Sequence, residues 1–202
     1  MYTLYYIQEA CSLAVNTVLR ELDQEVTLIR ADNLSEFSVV NPAQQVPVLI
    51  DGDEKLFEGA AIMLHLTSKH PSYLFPTEQG PARRRAVEQL LFANATMHPA
   101  YSRLFFVARV MESGSVRQQL FEAAAKEINR LWGQVESQLQ SQPFLGGQQA
   151  SVADILLAVY SRWGAAFGVD IIIPPRTAHM IEAVTSMPGF VAALQAEQAQ
   201  GV

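Results

Sequence analysis

The pattern of this chain changes character once, at a cluster of turn-forming residues, and that change restricts the folds open to it. Pro71, Pro76, Gly80 and Pro81 crowd between Lys69 and Arg83, a composition that interrupts helices and strands. Before the cluster, β-forming runs alternate with helically spaced apolar residues. After it, helical spacing alone continues to the end. Such a chain reads as an α/β unit followed by an all-α unit, with residues 1–75 in the first, 82–202 in the second and 70–81 linking them.

In the first unit, Tyr2 to Ile7 is rich in β-formers and reads as a strand. From Cys11, apolar side chains recur at Val15, Val18, Leu19 and Leu22, the stripe of an amphipathic helix. Val26 to Ile29 reads as a second strand, and a strand–helix–strand order implies a parallel pair. Asn33 to Asn41 is polar and poorly patterned, so a loop with at most a helical turn is expected. Val48-Leu49-Ile50 and Lys55-Leu56-Phe57 flank Asp51-Gly52-Asp53, a hairpin signal. Gly59 to Ser68 reads as a helix, completing a βαβ–ββα unit.

In the second unit, Arg83 to Glu112 and Val116 to Leu139 carry long helical stripes. Pro99 removes a hydrogen bond to Ala95 and is expected to bend the first of these helices. Ile155 to Tyr160 is apolar all round, the mark of a helix in the middle of a bundle. Pro174-Pro175 and Pro188 suit the first turns of two further helices. Ser151-Val152-Ala153-Asp154 is a capping box. Ile171 to Ile173 is the one short strand candidate here.

Composition narrows the function classes. The 14 basic against 20 acidic residues leave a net charge of −6, which argues against nucleic acid or an anionic membrane surface as partner. Arg83-Arg84-Arg85 is therefore read as a solvated face. Ile155 to Tyr160 is too short to span a bilayer. Met1 to Ser12 carries no basic group ahead of an apolar run, so no signal peptide is expected. Cys11 is the single cysteine, which excludes an internal disulfide and dithiol chemistry and points to a cytoplasmic setting. His65, His70 and His179 lack metal-ligand spacing, and no metal is expected.

The stretch from Gln45 to Leu66 places a Val-Pro pair beside an acidic helix start, an arrangement suited to holding a peptide-like ligand at both ends. Four segments then carry a resemblance: Tyr5-Tyr6-Ile7-Gln8-Glu9-Ala10-Cys11-Ser12-Leu13-Ala14, Asn41-Pro42-Ala43-Gln44-Gln45-Val46-Pro47, Glu58-Gly59-Ala60-Ala61-Ile62 and Ser151-Val152-Ala153-Asp154. In this order and at these intervals the chain resembles the glutathione S-transferase family, and within it the bacterial beta class. The resemblance implies a thioredoxin-like first domain that binds glutathione, a helical second domain that supplies the electrophile pocket, and a homodimer. The implied reaction joins the glutathione thiolate to a hydrophobic electrophile. Reduction of thiols or peroxides through Cys11, and a non-catalytic protein-binding role, are the alternatives.

The resemblance assigns roles residue by residue. Cys11, at a helix start where dipole and backbone N–H groups lower a thiol pKa, would meet the glutathione sulfur; the alternative is an inert cysteine on the apolar stripe. Ser12 would donate to that sulfur or simply cap the helix. Tyr6 would donate to a thiolate or pack in the core, and His98 would stabilise a thiolate or sit satisfied in the interior. Beside Gln45, a cis Pro47 would turn the Val46 backbone toward the cysteinyl unit. Glu58 would accept from the γ-glutamyl ammonium. Gly59 stands where the family has a serine that binds the γ-glutamyl carboxylate, a loss worth about 1.5–3 kcal/mol. Asn94, Tyr101, Phe105 and Trp163 would line the electrophile pocket. Gln8-Glu9 replaces a frequent Pro-Gly, and neither Lys55 nor Lys69 obviously supplies the family's usual lysine ligand.

Overall fold

The computed structural model describes residues 1–32 and 34–199. A four-stranded sheet forms first, from β1 (Tyr2–Tyr6), β2 (Val26–Arg30), β3 (Val48–Asp51) and β4 (Glu54–Phe57), in the order β2-β1-β3-β4. β1 runs parallel to β2, with Leu4 opposite Leu28, and antiparallel to β3, with Leu4 opposite Leu49. β3 and β4 make the expected hairpin, closed by Gly52 at φ 62°, a conformation that glycine adopts without a Cβ clash.

Alternation along β1 sends Tyr2, Leu4 and Tyr6 to one face. There they meet α1 (Ser12–Glu21) and α3 (Gly59–Lys69) in the main core. Tyr5 points to the other face, where its ring lies 5.7 Å from that of Phe37. Phe37 belongs to α2 (Leu34–Val40), which corrects the expectation of a loop with at most a helical turn. The helix is held by tertiary packing of Phe37 with Ala31 and Val48, which local composition does not reveal. Asn33 itself lies outside the described residues.

The helical half begins at α4 (Pro81–Phe92), with Pro81 in its first turn. The long stripe expected from Arg83 to Glu112 is divided: a π-helical segment, Ala93–Met97, separates α4 from α5 (His98–Val110). The His98 N–H bonds to the Ala93 carbonyl, so the ladder widens just where Pro99 lacks a donor of its own. α6 (Ser115–Gln138) packs on α5. α7 (Val152–Tyr160) is buried at every position, the central helix of the bundle. Asp154 holds its start, accepting from the backbone N–H groups of Leu145 (2.8 Å), Gly146 (3.3 Å) and Ser151 (2.8 Å). α8 (Pro175–Thr185) and α9 (Pro188–Ala199) follow, each opening on a proline. Ile171 to Ile173 is not a strand; Asn129 on α6 takes up its backbone by bonding the Asp170 carbonyl (3.0 Å) and the Ile172 N–H (2.8 Å).

α1 packs against α3, α7 and α9. It therefore lies between the sheet and the bundle, and its N-terminus opens toward the junction of the two halves.

Candidate functional site

Cys11 is the N-cap of α1, and two clefts meet at it. The first, about 440 Å³, lies between the 41–47 loop, the start of α3 and the π-helical segment; the second, about 460 Å³, lies between the β1–α1 loop, α5 and the turn after α7. Cys11, His98 and Ser102 line both. A further cavity of about 470 Å³ is lined by Gln118, Glu122, Lys126, Asn129 and Asp170. It holds no thiol, imidazole or aromatic ring and shares no lining residue with the other two.

Backbone geometry shapes the first cleft. Asn41 is buried and shapes the loop from within: its Nδ2 donates to the Gln45 carbonyl (2.8 Å) and its Oδ1 accepts the Ala43 N–H (3.0 Å). The Val46–Pro47 peptide bond is cis, and Gln45, Val46 and Pro47 form one wall. Glu58 and Gly59 form the opposite end. Glu58 caps α3 at φ 66° and ψ 117°, a backbone conformation costly for a residue with a side chain. Its carboxylate is exposed. Asn94, expected in the electrophile pocket, lines this cleft beside Gly59 instead. The π-helical segment sets its direction, and no helical periodicity could have shown that.

The second cleft is apolar, lined by Ile7, Ala10, Phe105 and Trp163. The Phe105 and Trp163 rings meet edge to face at 5.6 Å. Tyr101 does not reach either cleft. It is fully buried, and its hydroxyl accepts from the Trp132 indole (2.9 Å). One polar pair sits at the mouth, Glu9 with Arg162 at 3.1 Å. Glu9 also receives the Trp163 indole N–H on its carbonyl (2.9 Å) and gives its own N–H to Glu197 of α9 (3.0 Å). Three contacts from the helical half thus hold the loop that presents Cys11.

Charge at the junction differs from the sequence expectation. The Cys11 thiol donates to the Val46 carbonyl at 3.2 Å. Burial pushes it up to about 12, with Glu58 and Glu197 adding to the effect and the N–H groups of Cys11 and Ser12 opposing it. A helix N-terminus alone favours a thiolate; here desolvation outweighs it. His98 is pushed below its ordinary value, chiefly by burial, against the opposing pull of Glu58, and is neutral at pH 7. Its Nδ1 lies 3.3 Å from the Ser102 hydroxyl, and its ring packs edge to face on Tyr160 (5.3 Å) and Trp163 (5.4 Å).

Two expected donors point elsewhere. The Ser12 hydroxyl is buried and exchanges hydrogen bonds with the Ile7 backbone, donating to its carbonyl (3.2 Å) and accepting its N–H (3.3 Å). Tyr6 is fully buried, lines neither cleft, and has burial as the main cause of its raised pKa. Sequence reasoning missed Ser102 and the Glu9–Arg162–Glu197 group. The i, i+4 spacing of His98 and Ser102 was the one visible signal.

Comparisons with known proteins agree with this geometry. Residues 1–68 match the family model "Glutathione S-transferase, N-terminal domain", and residues 95–179 match "Glutathione S-transferase, C-terminal domain". Glutathione S-transferase GST-4.5 of Xanthomonas campestris pv. campestris is 32% identical over 83% of this chain and 85% of its own. The solved glutathione S-transferase of Xylella fastidiosa superposes with a TM-score of 0.90 at 29% identity, over 98% of this chain and 99% of its own. A sphingomonad glutathione S-transferase solved in complex with glutathione gives a TM-score of 0.84 at 30% identity, over 97% and 98% of the two chains. With both halves matched and the two clefts built where the halves meet, the chain belongs to the glutathione S-transferase family.

Proposed function

We propose that this protein conjugates glutathione, as its thiolate, to hydrophobic electrophiles. The observation that carries the reading is the pair of clefts, one bounded by backbone and carboxylate groups and one apolar, sharing the wall of Cys11, His98 and Ser102. A peptide in the first cleft would meet the Val46 backbone with its cysteinyl unit and Glu58 with its γ-glutamyl ammonium. The first backbone N–H groups of α3 would face its carboxylate. Its sulfur then falls at the shared wall, next to the cleft that suits an apolar acceptor. The similarity to a sphingomonad enzyme solved with glutathione supports this placement.

In the proposed step, glutathione gives up its thiol proton and sulfur forms a bond to the electrophilic carbon while the leaving group departs with its electron pair. Neutral His98 can receive that proton, since its Nε2 has no partner among the described residues. Cys11 stays a thiol on the wall beside the sulfur, its proton donated to the Val46 carbonyl, and is not a nucleophile, because burial keeps it protonated. That state argues against disulfide reduction through Cys11, which needs a thiolate. Phe105 and Trp163 would stack on the acceptor. Residues 1–75 would act as the glutathione domain and 82–202 as the acceptor domain, in a cytoplasmic homodimer built on the helices after Pro81. Among the described residues no helix is long and apolar enough to cross a membrane, and no group of three or more metal-ligating side chains occurs.

Thermal melting with millimolar glutathione tests the reading, together with conjugation of a chloronitrobenzene acceptor by the wild type and Cys11→Ala. A glutathione-dependent rise in melting temperature and retained conjugation by the variant are expected. No rise in melting temperature would overturn the proposal.

A further inference from the structure

We propose that Asn94 is a ligand for the α-carboxylate at the γ-glutamyl end of the peptide, acting from the helical half where α3 offers no side chain of its own. The inference rests on the glutathione reading above and assigns a residue to it. A Cβ built on Gly59 would stand 3.4 Å from the Asn94 Oδ1 and 3.8 Å from the Pro47 Cγ. The Asn94 carboxamide therefore occupies the neighbourhood that a side chain at position 59 would enter. It is half-buried, lines the first cleft and has no hydrogen-bond partner among the described residues. Its position comes from the π-helical segment Ala93–Met97, an irregularity often found at functional sites.

Charge favours an amide in this place. Among the described residues that line the cleft there is no lysine or arginine, and Glu58 is the one carboxylate. A zwitterionic amino-acid head would set its ammonium on Glu58, leaving its carboxylate near Gly59 with no cation to meet it. Orphan N–H groups at the start of α3 provide part of the binding. The Asn94 NH2 provides a neutral donor on the opposite side, and rotation about χ2 presents either amide atom because neither is engaged. The same geometry separates Asn94 from acceptor binding, since it is absent from the apolar cleft.

The test compares two ligands by calorimetry: glutathione, and γ-aminobutyryl-cysteinyl-glycine, which lacks the α-carboxylate. The wild type should bind glutathione more tightly, and Asn94→Ala should weaken glutathione by about tenfold or more while leaving the analogue unchanged. Asn94→Asp should weaken it further by repulsion. Gly59→Ser in the Asn94→Ala background should recover part of the loss, since the cleft has room for a side chain there. If Asn94→Ala leaves glutathione affinity intact, or weakens both peptides equally, the assignment is overturned while the glutathione reading stands. If the wild type binds neither peptide, the glutathione reading itself is overturned and the assignment with it.

Discussion

Alkylation of Cys11 offers a sharp test of the chemistry at the junction of the clefts. An ordinary cysteine, with a pKa of about 8.5, is roughly one-tenth thiolate at pH 7.5. With the Cys11 thiol pushed up to about 12, the thiolate fraction at that pH is about three in 100,000, a deficit of roughly three-thousandfold. Two features of the structure produce it, chiefly burial of the sulfur and then the nearby carboxylates of Glu58 and Glu197; the thiol proton is meanwhile donated to the Val46 carbonyl. Iodoacetamide labelling followed by intact mass should therefore be far slower than for a small free thiol. Its rate should climb about tenfold per pH unit, without a plateau up to pH 10. A parallel melting scan confirms that the protein stays folded across the series. A plateau below pH 8 would refute the reasoning, because it would mean that the helix N-terminus prevails over desolvation. It would also reopen disulfide chemistry at Cys11.

Three other substitutions probe the frame around the site. Asp154→Ala should destabilise the protein by at least about 3 kcal/mol in urea unfolding, because the N–H groups of Leu145, Gly146 and Ser151 lose their acceptor. Glu58→Gly should raise stability by roughly 1 kcal/mol by relieving the φ of 66°, yet weaken glutathione binding; stability and affinity moving together would contradict the role given to the carboxylate. Glu197 has a pKa raised to about 7, chiefly by burial, so the folded state holds a proton that the unfolded chain releases near pH 4.5. That contribution is complete below pH 4.5 and lost as pH rises to 7, amounting to at most about 3 kcal/mol. Glu197→Gln should flatten this decline in melting curves taken across that window.

Much of this fold was legible because the hydrophobic spacing and the punctuation agree with it. The stripe from Cys11 to Leu22, the Asp51-Gly52-Asp53 turn and the wholly apolar Ile155–Tyr160 run all form what their patterns imply. α2 escaped because Phe37, seated on Tyr5 across the sheet, supplies its packing, and no local pattern records a long-range partner. The π-helical segment escaped because Pro99 signals a missing donor without saying how the chain accommodates it. Within the site, residues placed by backbone course could be found in the sequence: Cys11, Val46, Pro47 and Glu58 all line one cleft. Tyr6, Ser12 and Tyr101 were chosen for their chemistry, and the structure turns each inward to a buried position. A hydroxyl's direction depends on which face of its element meets the core, and one residue of register decides that.

Backbone strain separates a working site from a fold that has outlived its ligand. Among the described residues, four with side chains hold positive φ: Glu9, Asp23, Gln44 and Glu58. Glu9 lines the apolar cleft, Glu58 lines the peptide cleft, and Gln44 lies in the chain between Ala43 and Gln45 on its wall. Away from the clefts, glycine takes the positive φ at positions 52, 80, 147 and 168, and among the described residues Asp23, just after α1, is the one side-chain-bearing exception. Each non-glycine residue in this region costs on the order of 1 kcal/mol that glycine would not. A protein-binding module with no ligand in the clefts gains nothing by keeping three of them there. Glu9, moreover, engages Arg162 through its side chain while its backbone meets Trp163 and Glu197, so glycine at that position would lose the ion pair. The strain is concentrated where a peptide and an acceptor would be oriented against each other, as expected of a catalytic site.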